Sequence, residues 1–180
     1  FDQVTRALCQ RTTPLHRFLD QYHQHTAYIH ALTKSVEAYN RQINEGAFLL
    51  FSFHGIPESQ ADKGDPYEQQ CQATAERVAH ALALDKDQWQ VSFQSRFGPA
   101  QWLKPYTSDV MAALPGQGKK NLLVICPGFA VDCLETIEEI KILNRDIFMA
   151  AGGKKFSYIK ALNATQDHVE LIRTLINQHS

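Results

Sequence analysis

The 180-residue chain lacks any long apolar run; the longest, residues 47–51 and their neighbours, falls far short of the ~18 residues a membrane-spanning helix needs. It has no excess of one charge either. Lys and Arg number 18 against 19 Asp and Glu, a net charge of −1, so electrostatic binding to nucleic acid is not expected. Nine glycines and seven prolines are too few for a collagen-like or low-complexity chain, and 10% aromatic residues argue against disorder. The four cysteines, Cys9, Cys71, Cys126 and Cys133, form no CxxC pair, so zinc or iron–sulfur ligation by all four is not expected. In a domain of this size they read as reduced thiols of a cytoplasmic protein. No basic-then-apolar leader follows Phe1, so no secretory signal is expected, and the missing initial Met fits a piece of a longer protein. No GxGxxG follows the first apolar strand and no GxxxxGK[ST] occurs, so the usual phosphate cradles of dinucleotide and P-loop proteins are absent.

What is present is ample core material: 44% hydrophobic residues with 21% charged. That length suits one domain with a small appendage. Residues 1–25 show no clean period and read as an arm; residues 26–180 read as the domain. Tyr28, Ile29, Leu32, Val36, Tyr39 and Ile43 recur at helical spacing, with Gly46 as a stop. The run 47–53 is apolar on both faces, as a central parallel strand would be. Asp65-Pro66 opens a second helix. Trp89, Val91 and Phe93 alternate with polar residues as a second strand, and 121–126 is a third. Thr107 and Ser108 are candidate caps of a short helix ending near Leu114. A longer helix carries Leu134, Ile137, Ile140, Leu143 and Ile147 and stops at Gly152-Gly153. A fourth strand over 155–159 precedes a last helix capped by Thr165, with Val169, Ile172 and Leu175. Such alternation predicts an α/β fold, a four-stranded parallel sheet flanked by helices of the flavodoxin-like or Rossmann kind.

Ligands of such sheets bind beyond the carboxyl ends of the strands, where the strand order reverses. The segments there are His54-Gly55-Ile56-Pro57, the stretch from Gln94 to Gly98, and the stretch from Pro127 to Glu135. If the strand order is 2-1-3-4, His54 and Glu135 face each other. Each residue also has a plainer reading. His54 alone suits a loop, and Glu135 suits a helix N-terminus. Arg96 suits a pair with Asp109 or Glu135. Glu135, Glu138 and Glu139 suit a hydrated cluster, since like charges at i, i+4 repel. Trp102 and Phe129 suit core packing. The pair His23 and His25 reads as surface, and His30, His80, His168 and His179 as exposed or partly packed.

The motifs Ser52-Phe53-His54-Gly55-Ile56-Pro57, Gly64-Asp65-Pro66-Tyr67, Ser92-Phe93-Gln94-Ser95-Arg96-Phe97-Gly98, Trp102-Leu103, Pro105-Tyr106-Thr107 and Cys126-Pro127-Gly128-Phe129 followed by Asp132-Cys133-Leu134-Glu135-Thr136 strongly resemble ferrochelatases. The stretch from Gly152-Gly153 to Asn163 fits the same family, and the match runs in order along nearly the whole chain. It resembles the C-terminal half of the bacterial type, one of two similar domains.

The resemblance implies insertion of ferrous iron into protoporphyrin IX to form protohaem, the last step of haem synthesis. It implies that His54 takes pyrrole protons or binds the metal, and that Glu135 is its acidic partner across the cleft. Imidazole and carboxylate both suit a borderline divalent metal. Asp132 and Glu139 extend an acidic path for protons or metal. Ile56, Trp102, Phe129 and Arg96 line the porphyrin pocket. The implied partners are protoporphyrin IX, Fe²⁺ as substrate and the missing N-terminal domain. Cys133 stands where animal members carry a histidine and is read as a bystander. The [2Fe–2S] cluster of animal members is not expected, as no cysteine follows Cys133. The competing readings are a tetrapyrrole chelatase for cobalt or nickel, and a non-catalytic module binding a porphyrin or partner domain.

Overall fold

The computed structural model describes residues 2–9 and 18–179. Four strands, β1 Phe48–His54, β2 Trp89–Gln94, β3 Asn121–Ile125 and β4 Lys155–Ile159, form one sheet in the order β2-β1-β3-β4, every pair parallel. This is the α/β architecture and the strand order that place the reversal between β1 and β3. In the expected arm, Asp2–Leu8 form a helix, α1, while residues 18–25 contain none; 10–17 lie outside the described residues.

The alternation of side chains along a strand divides the core in two. Leu49, Phe51, Phe53, Leu123 and Ile125 face α2 (Thr26–Glu37), a helix α5 (Tyr67–Ala81) and a last helix α8 (Gln166–His179), meeting Leu32, Val36, Ala75, Val78 and Leu171. Phe48, Leu50, Leu122 and Val124 face the other way, against Val110, Met111, Leu114, Ile140 and Phe148. A short α3 (Asn40–Asn44) follows α2, where one uninterrupted period was expected, and a one-turn α4 (Glu58–Ala61) follows β1.

Three local expectations need correction. The short helix α6 spans Thr107–Ala113, but neither Thr107 nor Ser108 caps it: Tyr106 occupies the cap without a side-chain bond. The buried Thr107 hydroxyl bonds instead to Ser52 (2.8 Å) and Ser92 (2.9 Å), joining α6 to β1 and β2. On α8 the inward residues are His168, Leu171 and Leu175, whereas Val169 and Ile172 are exposed. The helix after β3 opens as a π-helix over Glu135–Asn144 and continues as α7 (Arg145–Ala150). Its buried residues are Thr136, Ile140, Asn144 and Phe148, four apart, because i→i+5 bonding takes more residues per turn. Leu134, Leu143 and Ile147, expected inward from a 3.6-residue period, lie exposed.

Candidate active site

His54 closes β1 at the reversal of strand order. Its Nδ1 lies 2.6 Å from the Gly55 carbonyl. A carbonyl only accepts, so Nδ1 carries a hydrogen, and in the neutral form of the ring the lone pair is on Nε2. The Tyr67 hydroxyl donates to the His54 carbonyl at 2.9 Å and fixes the main chain. The ring stands between two tilted aromatics, Trp102 at 6.2 Å and Phe129 at 6.1 Å between centroids. Trp102 is held by its indole N–H on the Phe97 carbonyl (2.9 Å), and Leu103 N–H reaches the Ile56 carbonyl (3.0 Å). Gly55 permits this approach: a Cβ there would lie 3.1 Å from the Gln94 carbonyl oxygen and 3.2 Å from the Trp102 ring.

Glu135 arrives from the other side, in the first turn of the π-helix. Gln94, in register with His54, donates its side-chain amide to the Glu135 carbonyl at 2.7 Å. The Glu135 carboxyl is held below the usual carboxylate range first by a hydrogen bond from the Cys133 thiol, then by a backbone amide, with the nearby His54 ring adding to the effect. Cys133 is therefore tied to Glu135, and its thiol is pushed up by burial and by that carboxylate. All four cysteines are free thiols.

The other carboxylates are engaged. Glu139 accepts both the Ser95 backbone N–H (2.7 Å) and its hydroxyl (2.6 Å). Ser95 has φ of 64°, a left-handed backbone that turns these two donors together. Only Glu138 of the three glutamates is fully on the surface, so the hydrated cluster does not form. The Asp132 carboxylate accepts from Tyr158 Oη (2.7 Å), Asn163 Nδ2 (2.9 Å), Ala161 N (3.2 Å) and Thr136 Oγ1 (3.3 Å). Burial alone would raise its pKa; those donors outweigh it and hold the carboxyl low.

Arg96 stacks its exposed guanidinium 4.5 Å over the Tyr106 ring and makes none of the ion pairs among the described residues, so it pairs with neither Asp109 nor Glu135. On the segments that follow β2 and β3, Phe97, Leu134 and Val131 are 84%, 77% and 57% exposed. His23 and His25 are half-buried: the His25 ring caps α2, accepting from Ala27 N–H. His168 is buried, with Nδ1 2.6 Å from the Asn163 carbonyl, while the side chain of His179 lies outside the described residues. Among the described residues no three His, Cys, Asp or Glu side chains converge as a metal cage.

The family model described as Ferrochelatase matches residues 1–180. The chain belongs to the ferrochelatase family. It is 53% identical to the ferrochelatase of Aeromonas hydrophila over 98% of this chain and 55% of that protein. It is 48% identical to the coproporphyrin III ferrochelatase of Streptococcus mutans over 99% of this chain and 54% of that protein. It is also 48% identical to the ferrochelatase of Vibrio cholerae over 98% of this chain and 55% of that protein. The chain thus spans about half the length of the curated relatives it matches.

Sequence reasoning singled out His54, Glu135, Trp102 and Phe129, which the fold brings together. It gave no task to Gln94, Ser95, Tyr158 or Asn163. One signal was available for Gln94: a polar residue closing an otherwise half-buried strand opposite the histidine. No helix of the described residues is long and apolar enough to cross a membrane.

Proposed function

We propose that this chain is the metal- and proton-handling half of a ferrochelatase that inserts Fe²⁺ into protoporphyrin IX to give protohaem. Insertion removes two protons from pyrrole nitrogens and strips water from the ion. It needs a base and ligands of mixed N and O type. The observation that carries the reading is the His54 ring, whose Nδ1 is committed to the Gly55 carbonyl so that Nε2 is the nitrogen left to act, and which stands beside Trp102 and Phe129 at the reversal of strand order. Whether His54 takes protons or holds iron, the same lone pair serves. Glu135, kept ionised, is the acidic partner, and Glu139 extends the acidic route.

Ile56, Trp102 and Phe129 supply walls for a flat macrocycle, with Arg96 at the rim. Phe97, Val131 and Leu134 leave apolar side chains exposed on the segments that follow β2 and β3, and the half of the protein beyond this chain is the cover we assign to them. No resident cofactor and no iron–sulfur cluster are part of this reading. We place the protein in the cytoplasm, where free thiols stay reduced. A second porphyrin, coproporphyrin III, is favoured by the name of the Streptococcus mutans relative.

The test is anaerobic metal insertion by the full-length protein, with Fe²⁺ or Co²⁺ offered to each porphyrin. Turnover of protoporphyrin IX with Fe²⁺, lost in His54→Ala while the circular dichroism stays unchanged, is the expected result. Full turnover in His54→Ala would overturn the site. Preference for coproporphyrin III or Co²⁺ would reassign the substrate.

A further inference from the structure

We infer that Asn163, at the exit of β4, is a positioning residue for Glu135, acting through Asp132; the inference rests on the function proposed above. Asn163 touches neither His54 nor Glu135. It bonds to Asp132, and with Tyr158 and the Ala161 amide it ties the far edge of the sheet to the segment that leads to Glu135. Its side-chain Nδ2 donates to Asp132 Oδ2 (2.9 Å) and to the Ala161 carbonyl (2.9 Å). Its Oδ1 accepts the backbone N–H of Asp132 (2.9 Å), so the two residues bond reciprocally. Its own backbone N–H reaches the Ala130 carbonyl (2.9 Å), and its carbonyl lies 2.6 Å from the buried His168 ring. One residue therefore joins the segment after β3, the end of β4 and α8.

The backbone of Asn163 has φ of 49°, in the left-handed region that a non-glycine residue adopts at a cost. Asn tolerates this conformation better than most residues. A glycine would adopt it with less strain, but would lose the amide that holds Asp132. The residue type is thus explained by both needs together.

The grip passes on to Glu135 in one further step. The Thr136 hydroxyl shares its one hydrogen between Asp132 Oδ1 (3.3 Å) and the Cys133 carbonyl (3.1 Å), and its Oγ1 accepts the Cys133 backbone N–H (3.0 Å). The first turn containing Glu135 is therefore fastened from the β4 side by Asp132 and from the β2 side by the Gln94 amide on its carbonyl. Releasing the β4 side frees the carboxylate to drift relative to His54. Misplacement by about 1 Å costs on the order of 10²-fold in rate.

Asn163→Gly in the full-length protein keeps the backbone conformation and deletes the amide. The expected result is a kcat for metal insertion lowered ~10–100-fold, with the porphyrin KM within about 2-fold of wild type. Hydrogen exchange of the amides from 132 to 136 should quicken about tenfold or more while those of β1 and β3 do not change. In a Glu135→Gln background, Asn163→Gly should cost less than about 2-fold more, because the effect runs through that carboxylate. Wild-type kcat in Asn163→Gly, an additive loss in the double variant, or a loss confined to KM would each overturn the inference. If Glu135→Gln itself keeps full turnover, the proposed role of Glu135 fails and takes this inference with it. If Glu135→Gln is impaired and Asn163→Gly is not, only this inference fails. Should Asn163→Gly not fold, Tyr158→Phe removes another donor from Asp132 without touching that backbone, and the same double-variant comparison decides.

Discussion

The side-chain amide of Gln94 donates to the main-chain carbonyl of Glu135 across the reversal of strand order, while its Oε1 accepts from Ser52 Oγ at 2.8 Å and from the Cys126 thiol at 3.4 Å. One buried side chain thereby joins β2, β1, the segment after β3 and the π-helix. The carboxylate side of the site is held to the sheet by a neutral group, which adds no charge of its own beside the residues proposed to handle metal and protons.

Gln94→Ala should destabilise the fold by about 2–4 kcal/mol, the sum of a cavity and of buried partners left unsatisfied. Urea unfolding at neutral pH measures it. A loss under ~1 kcal/mol would mean that the partners find other bonds, and that Gln94 is not what fastens the helix to β2.

The carboxyl of Asp132 is held low in the folded chain by donors from four residues. A depressed folded pKa contributes stability that is fully present above the unfolded value, 3.8, and is lost as pH falls through the folded value. Wild type should therefore lose stability to Asp132→Asn as acid is added, the difference between them shrinking below about pH 4. Unfolding midpoints measured from pH 2 to 7 test this. A difference that stays constant across the range would show that the charge of Asp132 contributes nothing beyond what an amide does.

The strands were legible because runs such as 47–53 and 121–126 are apolar on both faces, which few structures other than a central parallel strand require. His54 and Glu135 were legible for a related reason: a parallel sheet gathers the residues that follow its strands at one edge. The π-helix was not. Leu134, Ile137 and Ile140 fit a 3.6-residue period well, and the wider turn depends on bonds from elsewhere. Ser95 holds the Glu139 carboxylate, and the Asn144 side chain donates to the Glu139 carbonyl (2.8 Å). The clamps on Glu135 were hidden likewise, since their partners are 41 residues away for Gln94 and 31 between Asn163 and Asp132. Only the assembled sheet makes them neighbours.

Two glycines separate stability from site geometry. A Cβ on Gly153 would sit 2.3 Å from the ring of fully buried Phe148, so Gly153→Ala should cost about 1–3 kcal/mol or more. Gly55→Ala meets the Gln94 carbonyl oxygen at 3.1 Å and the Trp102 ring at 3.2 Å, contacts that a shift of a few tenths of an ångström relieves, and its cost should appear in the pocket wall. The expected result is a smaller stability loss than in Gly153→Ala, with a raised porphyrin KM in the full-length protein. Thermal unfolding and steady-state kinetics compare them. Equal stability losses with an unchanged KM would mean that Trp102 does not line the pocket.

Phe97 and Leu134 expose most of their apolar surface, and nothing among the described residues covers them. A side chain so exposed contributes little to folding, because burial is what stabilises an apolar group. Phe97→Ser and Leu134→Ser should therefore leave the unfolding midpoint within about 0.5 kcal/mol of wild type. Their effect should fall on association: with the porphyrin, read as a raised KM, or with the rest of the protein, read as looser packing between halves. Fluorescence quenching by metal-free protoporphyrin IX reports the first directly, and limited proteolysis of the full-length protein reports the second. If both substitutions lower stability by more than ~1 kcal/mol in this 180-residue chain alone, the side chains pack within it and this apolar surface is not an interface. If stability holds while quenching weakens, the apolar rim is where the macrocycle first meets the protein, before its nitrogens reach His54.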